Sequence, residues 1–148
     1  MTDIVKPRRM DIWYARLPMD RRTSIQGGAR PVLIISNDIC NERSPVVTAI
    51  PMTTQIKHLS QPTHVLLTLK DGTQSMVLAE QITTVEKRFL DRKVDQCEDA
   101  EEIRRIEAAV REQVGIRDGD DILRDVYCAC VDAQAGSDSP ADTERNHK

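Results

Sequence analysis

Gly27-Gly28-Ala29-Arg30-Pro31-Val32-Leu33-Ile34-Ile35-Ser36 is the most informative stretch of this chain. Pro31–Ser36 is a nearly unbroken apolar run bounded by turn residues. Such a run reads as a strand buried on both faces. The two glycines free the main chain for a sharp bend or a close approach to a ligand. Arg30 is pinned between that loop and the strand, and its planar fork suits a phosphate. The other reading is a hairpin loop with a solvated arginine. The short motif alone leaves both open.

Working outward, further strands surround this one. Asp11–Leu17 is rich in β-formers, and so is Val46–Met52, where Pro51 suggests an edge or a bulge. Thr63–Lys70 and Ser75–Ala79 flank Asp71-Gly72 and read as a hairpin. Gln81–Val85 is one more short strand, and Asn41 to Pro45 reads as a loop. After residue 90 the period changes. Asp95 and Glu98 fit a capping box opening a helix over Glu98–Val114, with Ile103, Ile106, Val110 and Val114 at helical spacing and Gly115 as its cap. A shorter helix is expected over Asp121–Cys130.

The expected fold is therefore mainly β with C-terminal helices, a small and strongly curved antiparallel barrel. Parallel α/β is excluded, because no long helical segments separate the strands. The expected organisation is a barrel domain with its helix over 1–115, a helical extension over 116–131, and a disordered acidic tail over 132–148.

With 148 residues the chain is long enough to bury a core. Its net charge of −3 argues against a generally basic nucleic-acid coat. The average hides a gradient. Residues 1–30 carry seven Lys/Arg against three Asp/Glu, and residues 91–148 carry nine against sixteen. A basic first segment points to an anionic partner. No apolar run approaches a membrane span and no signal peptide is visible, so a cytoplasmic protein is expected. The four cysteines, Cys40, Cys97, Cys128 and Cys130, have irregular spacing that suits neither a disulfide framework nor a zinc site.

Other candidate groups lie at strand ends. Thr53-Thr54-Gln55 follows the Val46–Met52 strand, where hydroxyls can donate to a phosphoryl oxygen or simply cap a loop. Glu80-Gln81 interrupts an apolar strand and can read a base edge or form a hydrogen-bonded corner. His58, beside Lys57, is placed as a general base; His64 lies within a strand and reads as a structural group. No phosphate-binding loop, hydrolase elbow or zinc-protease motif occurs, so a metal-free and cofactor-free mechanism is expected.

Four ordered blocks carry a resemblance. They are Arg9-Met10-Asp11-Ile12-Trp13-Tyr14-Ala15-Arg16-Leu17, Gln26 through Asp38, Pro62-Thr63-His64-Val65 and Glu80-Gln81-Ile82. Over about residues 8–115 the chain resembles the MazF/PemK (Kid) family, the toxins of type II toxin–antitoxin systems. The resemblance implies an SH3-like barrel of the CcdB/PemK type and a homodimer. It implies a sequence-specific endoribonuclease that cuts single-stranded mRNA without a metal, neutralised by an antitoxin of MazE type. It places catalytic roles on Arg30, Thr53 and Ser24. RNA contacts are expected at Gln26, Gly27, Gly28, Thr54, Gln55, Lys57, His58, Glu80 and Gln81. In such chemistry the ribose 2′-OH attacks the adjacent phosphate, leaving a 2′,3′-cyclic phosphate and a 5′-OH.

The chain departs from the family pattern in places. Ile25 stands where an acidic residue is usual, Thr83 where an arginine is common, and Cys40 where a glycine is frequent. These departures keep a second reading alive, an inactive binding module of the same fold. A gyrase-poisoning toxin of the CcdB type would need an aromatic anchor beyond Tyr127, and the sequence has none.

Overall fold

The computed structural model describes residues 5–136. Seven strands form one antiparallel half-barrel. They are β1 (Asp11–Leu17), β2 (Gly28–Ile34), β3 (Val46–Thr53), β4 (His64–Thr68), β5 (Gln74–Leu78), β6 (Thr83–Glu86) and β7 (Leu90–Gln96). Their order is β4-β5-β3-β2-β1-β7, with β6 also pairing with β3. The helices are α1 (Asp38–Arg43), α2 (Ala100–Val114) and α3 (Gly119–Ala135). The chain divides into two compact units, residues 1–115 and residues 116 onward.

The apolar run at β2 is unbroken because both faces of the strand are covered. Leu33 and Ile35 enter one core with Ile12, Ile50, Met52, Val77 and Ile106. Val32 and Ile34 enter a second with Ala15, Val47, Ala49 and Val85. Val32, Leu33 and Ile34 of β2 are fully inaccessible, and each contributes roughly 1.5–3 kcal/mol of transfer free energy.

Strand β3 is the branch point. Its first half, Val46–Ala49, pairs with β6, and Met52–Thr53 pairs with β5. Pro51 falls between the two ladders and has no partner in either. A proline, lacking an N–H, fits at such an interruption. The hairpin β4–β5 turns at Gly72, whose φ of 84° is left-handed. The half-barrel's two end strands meet through a side chain: buried Asp95 of β7 accepts the Lys70 main-chain N–H, just beyond β4, at 2.8 Å. Buried Asp11 of β1 likewise accepts from the Arg8 main chain at 2.9 Å and the Trp13 indole at 3.3 Å, and pairs with Lys93 at 3.0 Å.

Several expectations are corrected. The Asn41–Pro45 loop is largely helix α1, because the Asn37 side chain caps the Cys40 N–H at 2.9 Å. A 3-10 turn at Ala79–Gln81 replaces the end of one expected strand and the start of the next. Strand β7 was not anticipated; its exposed Asp91, Arg92 and Lys93 mask the apolar alternation. The cap of α2 is Asp99, which accepts from Glu102 N–H at 2.9 Å, while Asp95 serves β7. Ile106 and Ala109 bury the inner face of α2, but Val114 is half exposed. Helix α3 runs longer than Asp121–Cys130, starting behind the Asp118 cap and reaching into the segment read as a tail. Residues 137–148 of that tail lie outside the described residues.

Candidate active site

Arg30 lies on β2, whose register pairs Val32 with Pro51 of β3. Arg30 lies two residues before Val32, at the end of that ladder nearest Met52 and Thr53. The side chain follows: Arg30 Nη1 donates to the Met52 carbonyl at 3.4 Å. Its Nε donates to the Gly27 carbonyl at 2.9 Å, and Nη1 also donates to the Gln26 side-chain oxygen. The guanidinium is thus held by three acceptors of neutral charge while remaining partly exposed. Burial holds its pKa below the ordinary value, with the neighbouring Tyr14 pulling the other way. It stays a cation at neutral pH.

Gly27 is needed for the loop to close. A Cβ there would meet the Pro18 carbonyl oxygen at 2.4 Å and Met19 Cα at 2.8 Å, both main chain. Gly28 takes φ +80°, the left-handed region open to glycine. The Gly27-Gly28 pair therefore brings the 18–19 segment against the base of β2 and aims Arg30 at Met52.

Thr53 ends β3. Its Oγ1 accepts the Gln55 N–H at 3.1 Å, a local turn that leaves the hydroxyl proton free to donate. Gln81 bridges back to the first loop. Its Oε1 accepts the Gln26 N–H at 3.2 Å, and its Nε2 donates to the Ser24 carbonyl at 3.2 Å. Arg30, Gln26, Gly27, Thr53, Ser24 and Gln81 are therefore connected by direct or one-residue links. Ser24, Thr54, Gln55, Lys57 and His58 are exposed along the two loops. Among the described residues, no hydrogen bond or ion pair joins the His58 ring to Arg30 or Thr53. One oxygen of the Glu80 carboxylate faces His64 Nε2 at 2.6 Å, as in the hydrogen-bonded corner that was one of its two readings.

Three participants escaped the sequence reading. The Met52 carbonyl is main chain and has no residue-type signal. Tyr14 stands on β1 next to the Ala15–Arg30 pair, donates its hydroxyl to the Ala29 carbonyl at 3.5 Å, and carries Arg92 over its ring at 4.8 Å. His64 was read as structural, and its two-sided hydrogen bonding needed coordinates. Among the described residues, no group of three or more His, Cys, Asp or Glu is placed to hold a metal ion. No described helix is long and apolar enough to cross a membrane.

The chain is similar to known proteins. The family model described as PemK-like, MazF-like toxin of type II toxin–antitoxin system matches residues 8–114. The chain is 40% identical over 96 residues to "Endoribonuclease EndoA" of Bacillus subtilis (strain 168), covering 62% of this chain and 81% of that protein. Among solved structures, a mycobacterial endoribonuclease in complex with its cognate antitoxin superposes with a TM-score of 0.63 at 25% identity, covering 75% of this chain and 97% of that one. MazF from Deinococcus radiodurans shares the fold with a TM-score of 0.64 at 21% identity, covering 74% and 97%.

Proposed function

The chain belongs to the PemK-like, MazF-like family of type II toxins and is an endoribonuclease toxin, and from that premise we propose that it cleaves single-stranded mRNA at the Arg30–Thr53 groove without a metal ion. The 2′-OH attacks the adjacent phosphorus, the bond to the 5′ oxygen breaks, and the products are a 2′,3′-cyclic phosphate and a 5′-OH. Charge accumulates on the non-bridging oxygens. Arg30 meets it with a pre-oriented fork, and the Thr53 hydroxyl donates beside it. A guanidinium stays protonated at neutral pH even where burial lowers its pKa, which makes it a poor proton relay, so Arg30 acts as the electrostatic clamp.

Ser24 and Gln26 on one loop, and Thr54, Gln55, Lys57 and His58 on the other, form the walls along which the strand lies. Gln81 holds the first wall from below, and Glu80 sits behind it. Ile25, 70% exposed at the groove, offers an apolar contact in place of a carboxylate. The active form is a homodimer, and an antitoxin of MazE type neutralises it by laying an acidic, apolar segment over the groove.

The single observation that carries this reading is the three-point fixation of Arg30 near Thr53. The test is cleavage of a long mixed transcript in EDTA with end mapping. Cyclic phosphate ends are expected, and Arg30→Ala should lower their rate of formation about 10²- to 10³-fold. Cleavage by Arg30→Ala at the native rate would remove the assignment. Stable binding of the transcript without any cleavage by the native chain would instead favour the inactive module.

A further inference from the structure

We propose that His64 and Glu80 form a charged positioning pair that locks the two walls of the RNA groove in register; this deepens the function proposed above and rests on it. The observation is the hydrogen-bond environment of the His64 ring. Its Nε2 faces Glu80 Oε1 at 2.6 Å. Its Nδ1 faces the carbonyl oxygens of His58, at 3.0 Å, and Lys57, at 3.2 Å. A neutral imidazole carries one donor and one acceptor. Here each partner is an oxygen, and a ring that donates from both nitrogens satisfies them all.

The other way to satisfy Nε2 is a protonated Glu80 donating to it. The Glu80 carboxyl argues against this. Burial pushes its pKa up, yet the contact with His64 leads the interactions that hold it below its ordinary range, while its other oxygen, Oε2, is buried with no hydrogen-bond partner. It is therefore the anion of the pair. The His64 side chain is only 6% exposed and that of Glu80 28% exposed, so the pair is shielded from solvent screening.

The position of the pair gives it a task. Lys57 and His58 lie on the loop that leaves Thr53. Glu80 lies on the 3-10 turn whose next residue, Gln81, grips Ser24 and Gln26. Gln26 in turn holds Arg30. His64 is the joint between these halves, and its two donated bonds fix the Thr53 loop to the Arg30 loop. His58 takes φ +54°, in the left-handed region, where its carbonyl turns to the ring. His64 touches no reacting atom in this scheme; it acts through the loops.

The test uses the full chain and three readouts. Nitrogen-detected NMR of the histidine rings at pH 7 should show both His64 nitrogens protonated. In Glu80→Gln, which is nearly isosteric, the amide signals of Lys57–His58 and of Ser24–Gln26 should shift together. RNA cleavage by Glu80→Gln and His64→Gln should fall about 10- to 100-fold in kcat with KM changed less than about two-fold, the mark of lost alignment rather than lost contact. If His64→Gln fails to fold, Glu80→Gln carries the comparison. A neutral His64 ring, unchanged kcat in Glu80→Gln, or a rise in KM alone would overturn the proposal. If the native chain cleaves no RNA, the functional reading fails. The pair is then judged by the two NMR readouts: a neutral ring, or shifts confined to one loop, overturns it.

Discussion

The Nη1 atom of Arg30 lies 3.4 Å from the carbonyl oxygen of Met52, the residue directly before Thr53. A main-chain acceptor cannot be removed by substitution and cannot swing away. It fixes the arginine to the strand that carries the hydroxyl, so the two groups move as one unit.

Arg30→Ala removes the clamp and should lower kcat by about 10²- to 10³-fold, the usual effect of deleting one electrostatic stabiliser. Arg30→Lys should also lose most activity, because an ammonium cannot reproduce the donor fork that holds Gly27, Gln26 and Met52. Single-turnover cleavage checks both. Fold stability should change little, since the side chain is partly exposed.

Gly27→Ala should destabilise the fold by about 1–3 kcal/mol through main-chain overlap with Pro18 and Met19. A thermal melt should show a fall of several degrees. Gly28→Ala meets only the mobile end of Met19 but must hold φ +80°, so it should be damaging through strain instead.

The depressed Glu80 carboxyl gives a pH signature. A group whose folded pKa lies below its unfolded value stabilises the fold above the unfolded pKa and loses that contribution as pH falls through the folded one. The contribution of the Glu80 carboxylate to the stability advantage of the native chain over Glu80→Gln should therefore shrink as pH falls below the ordinary carboxyl value of 4.5. Denaturant titrations between neutral pH and pH 3 measure it. An advantage that grows on acidification would contradict the assignment.

Cys97 should resist alkylation in the native state. It is buried, and burial together with Glu102 pushes its thiol up to about 12. Cys40, Cys128 and Cys130 are exposed and should react. Mass spectrometry after iodoacetamide at pH 8 should find three modified thiols, and a fourth only after denaturation.

A chain ending at Gly115 should fold and cleave RNA. Both apolar cores lie within residues 1–115, and α2 closes on Gly115 at φ 69°. Its melting temperature should match that of the full chain within about 2 °C, a tolerance corresponding to well under 1 kcal/mol.

Much of this was legible in the residues. The β2 run announced a doubly buried strand, and the glycine pair announced the loop that aims Arg30. What was hidden has physical causes. Strand β7 pairs with β1 alone and leaves Asp91, Arg92, Lys93 and Val94 exposed, so its sequence shows no clean alternation. Helix α1 is only six residues and depends on one cap from Asn37. Asp95 carries a helix-capping signal but is used across the barrel by Lys70 N–H, a long-range choice no local pattern reveals. Glu80 reads equally as a base contact or a hydrogen-bonded corner, and its corner partner, His64, lies sixteen residues earlier in the chain, beyond the reach of any local pattern.

Trp13 is the chain's single tryptophan. It sits on β1, flanked by β2 and β7, packs against the second core, and donates its indole N–H to buried Asp11. The protein therefore contains one indole at the seam between the strand that carries Arg30 and the strand that ends the sheet. Its emission reports opening of that seam without any label. Loosening of the catalytic strand and global unfolding can be followed at one wavelength, and a red shift before the loss of circular dichroism would show that the seam opens first.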